Sequence, residues 1–150
     1  MLARFVLILA LAAGPAVAQT ALDGDTIKLN GTTWRLWGID APEKPQWCGR
    51  YPAGAQATVV LEQLMRHKSI NCDERGTDRY GLAIGLCRAN GDDLGATMVR
   101  LGMAWAFVRY SRDYVEQEAK AKADKLGVHA HQCVPAWVWR ARARTDTAPE

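Results

Sequence analysis

The chain lacks a dominant charge: 19 Lys and Arg stand against 16 Asp and Glu, a net charge of +3 over 150 residues. So small an excess argues neither for nor against a polyanionic partner. No two of the four cysteines form a CxxC pair, which removes the ligand spacing of the common structural zinc sites. Beyond the first twenty residues no apolar run approaches the ~20 residues that cross a bilayer. Internal repeats and low-complexity linkers are also missing.

The one long apolar run is at the start. Arg4 precedes an apolar stretch from Phe5 to Ala13, and the small-residue triplet Ala16, Val17, Ala18 precedes Gln19. These are the parts of a secretory signal peptide, residues 1–18, with cleavage expected after Ala18. Removal leaves 132 residues, enough for one domain with one core, and lowers the net charge to +2 because Arg4 goes with the leader. The product is expected to be exported, periplasmic or secreted, monomeric, and without stable membrane association. In an oxidising compartment four cysteines imply two disulfides in one of three pairings. Cys72 and Cys87 end the apolar runs on either side of a turn-rich stretch and suit a cross-strand bond; Cys48 with Cys133 would then staple the tail to the loop after Glu43.

The order of elements reads as a strand ending in Asp23-Gly24-Asp25, a second strand TIKLN, a turn at Asn30-Gly31, and a third strand TTWRLWGI. From Ala55 to Lys68, apolar Ala57, Val60, Leu61, Leu64 and Met65 recur at helical spacing. SINCDE and LAIGLCRAN form two more strands around RGTDRYG. Leu94, Met98 and Leu101 mark a short helix stopped by Gly102; Ser111 can cap a third helix, with Glu116/Lys120 and Glu118/Lys122 as i,i+4 pairs, ended by Gly127. Five strands interrupted by a helix predict an α+β, mainly β fold: a five-stranded oligonucleotide-binding-type barrel with three helices over residues 19–134. Residues 135–150 form a tail packed on the domain or partly disordered, with TDTAPE disordered.

Among the residues that carry chemistry, Asp25 lies in a tight turn, Asp40 ends a strand, and Pro42 keeps the chain extended so that Glu43 is displaced from Asp40. Two aspartates and a carbonyl could hold a hard cation with positions left open, a third carboxylate could activate water, and the planar fork of Arg35 could grip phosphate. The same residues read blandly as turn aspartates and a surface ion pair.

The blocks DGDT at 23–26, WRLWGIDAPE at 34–43 and DRYG at 78–81 resemble the signatures of the thermonuclease, or staphylococcal nuclease-like, family; GAQAT in the first helix and VRLGMAWA at 99–106 extend the match. The resemblance implies calcium-dependent (Ca2+) hydrolysis of phosphodiester bonds in DNA or RNA. It implies that Asp25, Asp40 and the carbonyl of Ala41 ligate calcium, that Glu43 is the general base and Arg35 the phosphate grip, and that Arg79, Tyr80 and Tyr110 contact the nucleotide. It also implies a second catalytic arginine where this chain has Leu82, a side chain with no donor. Loss of one such donor lowers turnover by about 100- to 1000-fold. The enzyme is therefore expected to be impaired, with Leu82→Arg raising its activity; the alternative is an inactive secreted module that keeps the metal pocket and binds nucleic acid or protein.

Two further stretches stand out. HAHQC at 129–133 offers two imidazoles and a sulfur to a transition metal, against the simpler reading of an oxidised Cys133 and loop histidines. WVWRARAR at 137–144 alternates tryptophan with arginine and could stack bases and attract phosphate. Its simpler reading has the tryptophans fastening the tail while the arginines face water.

Overall fold

Two Asn-Gly turns set the sheet. In the computed structural model, which describes residues 18–146, Asn30 and Gly31 have φ of 50° and 86°, and Asn90 and Gly91 have 51° and 95°. These left-handed pairs match the twist of a two-residue hairpin. The first turn joins β2 (Thr26–Leu29) to β3 (Thr32–Leu36), and the second joins β6 (Ala83–Ala89) to the two-residue β7 (Asp92–Asp93). With β1 (Gln19–Ala21) and β5 (Ile70–Thr77) they form one sheet in the order β1-β2-β3-β6-β5, with β7 on β6. All neighbours are antiparallel except β3 and β6, which run parallel. The expected leader lies outside the described residues apart from Ala18.

The predicted third strand is broken. Gly38, at φ 70°, turns the chain after Trp37, and Ile39–Asp40 become a separate β4 paired with β8 (Trp105–Ala106). A residue with a Cβ would be strained at that φ. The break matters because it lifts Asp40 off the main sheet and buries it completely.

Helix α1 spans Ala53–Met65, two residues earlier at its start and three earlier at its end than periodicity suggested. His67, at φ 58°, lies past the helix in a left-handed turn. The predicted face is correct: Ala57, Leu61 and Met65 are buried against Ile27, Leu36 and Ile39. Helix α2 (Leu94–Arg100) is capped by Asp93, whose carboxylate accepts from Ala96 N at 3.1 Å, and Gly102 at φ 69° follows it. Helix α3 (Val115–Ala123) begins after Tyr114; Ser111 instead accepts from Asp113 N. Glu118 and Lys122 pair at 3.0 Å.

A fourth helix, α4 (Ala136–Asp146), occupies the region expected to be only a tail, and includes the first two residues of TDTAPE. Four features fix its start. Cys133 bonds to Cys48, Gln46 Nε2 donates to Val134 O at 2.9 Å, Ala136 is fully buried, and Trp137 meets Trp105 and Phe107 at ring distances of 6.2 and 5.6 Å. The other disulfide joins Cys72 and Cys87, which face each other directly across β5 and β6. Among the described residues no helix is long and apolar enough to cross a membrane.

Candidate active site

Close packing of small residues brings the acidic segments together. A Cβ on Gly24, in the Asp23-Gly24-Asp25 turn, would lie 2.7 Å from the Cβ atoms of both Ala41 and Ala57. Only glycine lets that turn lie against β4 and α1 together. Asp25 then reaches across: its Oδ2 accepts from the backbone N of Ala41 at 2.9 Å. On the other side, a Cβ on Gly54 would overlap the carbonyl of Glu43, so the first turn of α1 can seat against the Glu43 loop. Buried Gln46 fixes the loop, accepting from Glu43 N at 3.2 Å while its own N donates to Glu43 O at 2.7 Å.

Arg35, from β3, lies between the two aspartates. Its Nη2 is 3.7 Å from Asp25 Oδ2 and 3.3 Å from Asp40 Oδ1. Burial disfavours its charge, but Asp25 and Asp40 outweigh burial and raise its pKa. A second guanidinium enters from α4. Arg140 Nη1 donates to Asp40 Oδ1 at 3.0 Å and to Glu43 Oε1 at 2.7 Å, and Nη2 donates to Asp40 Oδ2 at 2.7 Å. Its pKa is raised, first by the hydrogen bond to Asp40 and then, against burial, by that to Glu43.

Asp40 nevertheless titrates above the ordinary carboxylate range, because complete burial and the neighbouring Asp25 outweigh both arginines. Asp23 is pushed up to about 6 by burial and by Asp25. Asp23, Asp25, Asp40 and Glu43 therefore set four carboxylates against two guanidiniums, a deficit of two positive charges that one divalent cation would match. Among the described residues no three His, Cys, Asp or Glu side chains gather closely enough to hold a metal. A cation at Asp25 and Asp40 would thus be held by two carboxylates, backbone carbonyl and water. That hard-oxygen donor set fits calcium or magnesium and not a soft transition metal.

Glu43 and the two guanidiniums bonded to the acids line a cavity of about 430 Å³, with Asp25 and Asp40 buried behind them; its walls also include Arg79, Tyr80, Arg109, Tyr110, Trp137 and Arg144. Five arginines and five aromatic rings, Trp37 and Phe107 among them, are suited to phosphate and base faces. The DRYG turn is built by Asp78, whose Oδ1 accepts from Tyr80 N and Leu82 N at 2.8 and 2.9 Å. Arg79 stacks over Tyr80, 5.3 Å from the ring centre, and both Tyr80 and Tyr110 are well exposed in the cleft. Leu82 is exposed and lies outside the cavity wall.

The structure thus gathers Asp25, Arg35, Asp40, Ala41 and Glu43 beside the cleft, with Arg35 and Glu43 in its wall, and puts Arg79, Tyr80 and Tyr110 in the same wall. It corrects the reading that every arginine of WVWRARAR faces water, since Arg140 is bonded to two carboxylates. The signal was present at helical spacing: Trp137, Arg140 and Arg144 fall three and four residues apart, and all three line the cavity. HAHQC does not form a metal site with a thiolate, because Cys133 is oxidised and His131 stacks on Tyr51 at 4.1 Å.

Comparison with known proteins agrees with this geometry. The family model described as staphylococcal nuclease homologue matches residues 33–131. An Escherichia coli protein named as an uncharacterized endonuclease is 35% identical over 130 residues, covering 81% of each chain. A Shigella flexneri protein named micrococcal nuclease is 32% identical over 144 residues, covering 84% of this chain and 80% of its own. Another Escherichia coli protein, named ParB, is 33% identical over 138 residues, covering 79% and 75%. With two thirds of its length matched by the family model, the chain belongs to the staphylococcal nuclease homologue family, and its fold is the oligonucleotide-binding type.

Proposed function

We propose that the protein is an exported, calcium-dependent nuclease that hydrolyses phosphodiester bonds in DNA or RNA. One observation carries this reading: Asp25 and Asp40 are tied by Arg35, and Asp40 and Glu43 by Arg140, directly behind a cleft walled by arginine and aromatic side chains. Family membership and the names of the relatives support it, and the two disulfides support export.

In this reading Asp25, Asp40 and the carbonyl of Ala41 hold the cation. When bound, calcium supplies a Lewis acid for a phosphate oxygen and lowers the pKa of the attacking water. Glu43 accepts the proton of that water as its oxygen bonds to phosphorus. Arg35 donates hydrogen bonds to the phosphate as negative charge builds there, and the departing oxygen takes a proton from solvent water as the P–O bond breaks. Arg79, Tyr80 and Tyr110 hold the adjoining nucleotide. Leu82 leaves the position directly after the DRYG turn without a guanidinium, a loss that by itself lowers turnover.

Leu82 also favours a second reading, a secreted module that keeps the cation pocket and binds nucleic acid without cutting it. Labelled single-stranded DNA incubated with purified protein and calcium, magnesium or chelator, read for both retention and cleavage, separates the two. The nuclease reading expects calcium-dependent cleavage that Glu43→Gln abolishes. Retention with no cleavage under any cation establishes the binding module instead.

A further inference from the structure

Arg140 occupies two places that the proposed chemistry needs vacated. Its fork covers both oxygens of Asp40, and the same Nη1 covers Glu43 Oε1. A cation ligated by Asp40 would compete for the oxygens that now accept from Arg140, and a guanidinium bonded to Glu43 hinders that carboxylate from taking a proton. Like charges also repel at such separations. For Asp40 to ligate a divalent ion, this guanidinium would have to leave the carboxylate.

The displaced side chain stays in the cleft, because the base of α4 is fastened. The Cys48–Cys133 bond ties that base to the loop that carries Glu43, Gln46 bonds Val134 O, and Trp137 is seated on Trp105 and Phe107. The backbone is fixed while the long side chain, itself 30% exposed, can rotate within the cavity it lines. Arg35 holds the opposite edge of Asp40. A phosphate bound beside Asp40 would lie near both forks, and the hydrogen bonds of bidentate arginine–phosphate pairs are roughly twice as strong as neutral ones.

Resting on the nuclease reading above, we propose that Arg140 is a catalytic residue: the second guanidinium on the scissile phosphate, stored on Asp40 and Glu43 until cation and substrate release it. It delivers from α4 what Leu82 cannot deliver from the DRYG turn. The Cys48–Cys133 bond and Gln46 are the positioning elements that aim it.

Purified wild-type protein is compared with Arg140→Ala, Arg140→Gln and Arg140→Lys in two measurements, calcium binding by calorimetry and single-turnover cleavage of labelled single-stranded DNA at saturating calcium. Removing the stored guanidinium is expected to tighten calcium binding several-fold in Arg140→Ala. The same change is expected to slow cleavage by about 100- to 1000-fold, the usual effect of losing a donor aimed at developing charge. Arg140→Lys keeps the charge without the fork and should fall between. Should Arg140→Ala fail to fold, Arg140→Gln, which retains hydrogen-bond donors toward Asp40, carries both comparisons. Tighter calcium with equal or faster cleavage means that Arg140 only blocks the pocket, and overturns the catalytic assignment. Unchanged calcium affinity overturns the storage role, whether or not the protein cuts DNA. Wild-type protein that binds calcium yet never cleaves sinks the nuclease reading itself, and the inference with it.

Discussion

Gln46 offers a direct measure of how the two halves of the site are coupled. Its side chain is fully buried, and its two ends serve different segments: Oε1 accepts from Glu43 N at 3.2 Å and Nε2 donates to Val134 O at 2.9 Å. Gln46→Leu is close in volume and retains the backbone bonds of residue 46, including Gly54 N to Gln46 O at 3.1 Å. It strands one N–H and one C=O, each costing about 1–3 kcal/mol if left without a partner. Burying the leucine returns about 1–2 kcal/mol. A net loss of about 2 kcal/mol follows, which lowers the melting temperature of a domain this size by roughly 6–10 °C. Thermal melts followed by circular dichroism check it. Gln46→Glu keeps the acceptor for Glu43 N but sets a carboxylate against Val134 O, so its loss concentrates on α4. Trypsin should then cut earlier at Arg140, Arg142 and Arg144 than in wild type. A Gln46→Leu melt within about 2 °C of wild type, or unchanged tryptic cutting in Gln46→Glu, would refute the claim that this residue couples the Glu43 loop to α4.

Gly54→Ala places a methyl group into the carbonyl of Glu43, a backbone atom that cannot yield cheaply. A stability loss of at least about 2 kcal/mol in urea unfolding is expected, together with weakened calcium binding; a neutral effect would show that α1 and the loop are not in close contact. Burial lowers the pKa of His129 below its ordinary value of 6.5, with Glu118 opposing and Lys122 adding to the shift, and its buried Nε2 has no partner. The folded state therefore takes up this proton less readily than the unfolded chain. The stability it protects is intact above pH 6.5 and is lost as the pH falls through the folded pKa. Denaturant unfolding at pH 7.5 and 5.5 should show a larger drop for wild type than for His129→Gln, and equal drops would contradict the burial argument.

Local chemistry made much of this fold legible. The Asn30-Gly31 and Asn90-Gly91 hairpins, the buried face of α1 and the Asp-Gly-Asp turn all follow from dihedral preference or periodicity within a few residues. The break after Trp37 did not, because Gly38 inside an apolar run reads equally as part of a strand; what decides it is the pairing of Ile39–Asp40 with Trp105–Ala106, more than sixty residues away. The parallel contact of β3 with β6 is similarly long-range. Residue type and turn chemistry draw attention to Asp25, Arg35, Asp40 and Glu43 without separating a cation site from turn aspartates and an ion pair; their roles come from the family resemblance. WVWRARAR stands out as a possible phosphate-attracting stretch, but its alternation by two does not separate Arg140 from Arg142 and Arg144; the helical period of three to four that follows Pro135 does.

The family match begins at residue 33 and ends at 131, so it contains neither Asp25 nor Arg140. Both still meet Asp40's surroundings: Asp25 through the Arg35 guanidinium and Ala41 N, Arg140 directly. The β2–β3 register, which sets Thr26 opposite Arg35, determines the first approach. A covalent bond eighty-five residues in span determines the second. A phosphate responds to a guanidinium's position and orientation, not to the segment that carries it. A vacancy at Leu82 therefore predicts a weak enzyme only if no other chain segment reaches the same volume. Helix α4 brings a second guanidinium to Asp40 and Glu43, and reduction of Cys48–Cys133 tests whether it serves. If α4 supplies a working arginine, mild reductant should lower cleavage more than it lowers thermal stability, and Arg140→Ala should lose that sensitivity. If the DRYG turn and Arg35 carry the reaction unaided, reductant should depress wild type and variant alike.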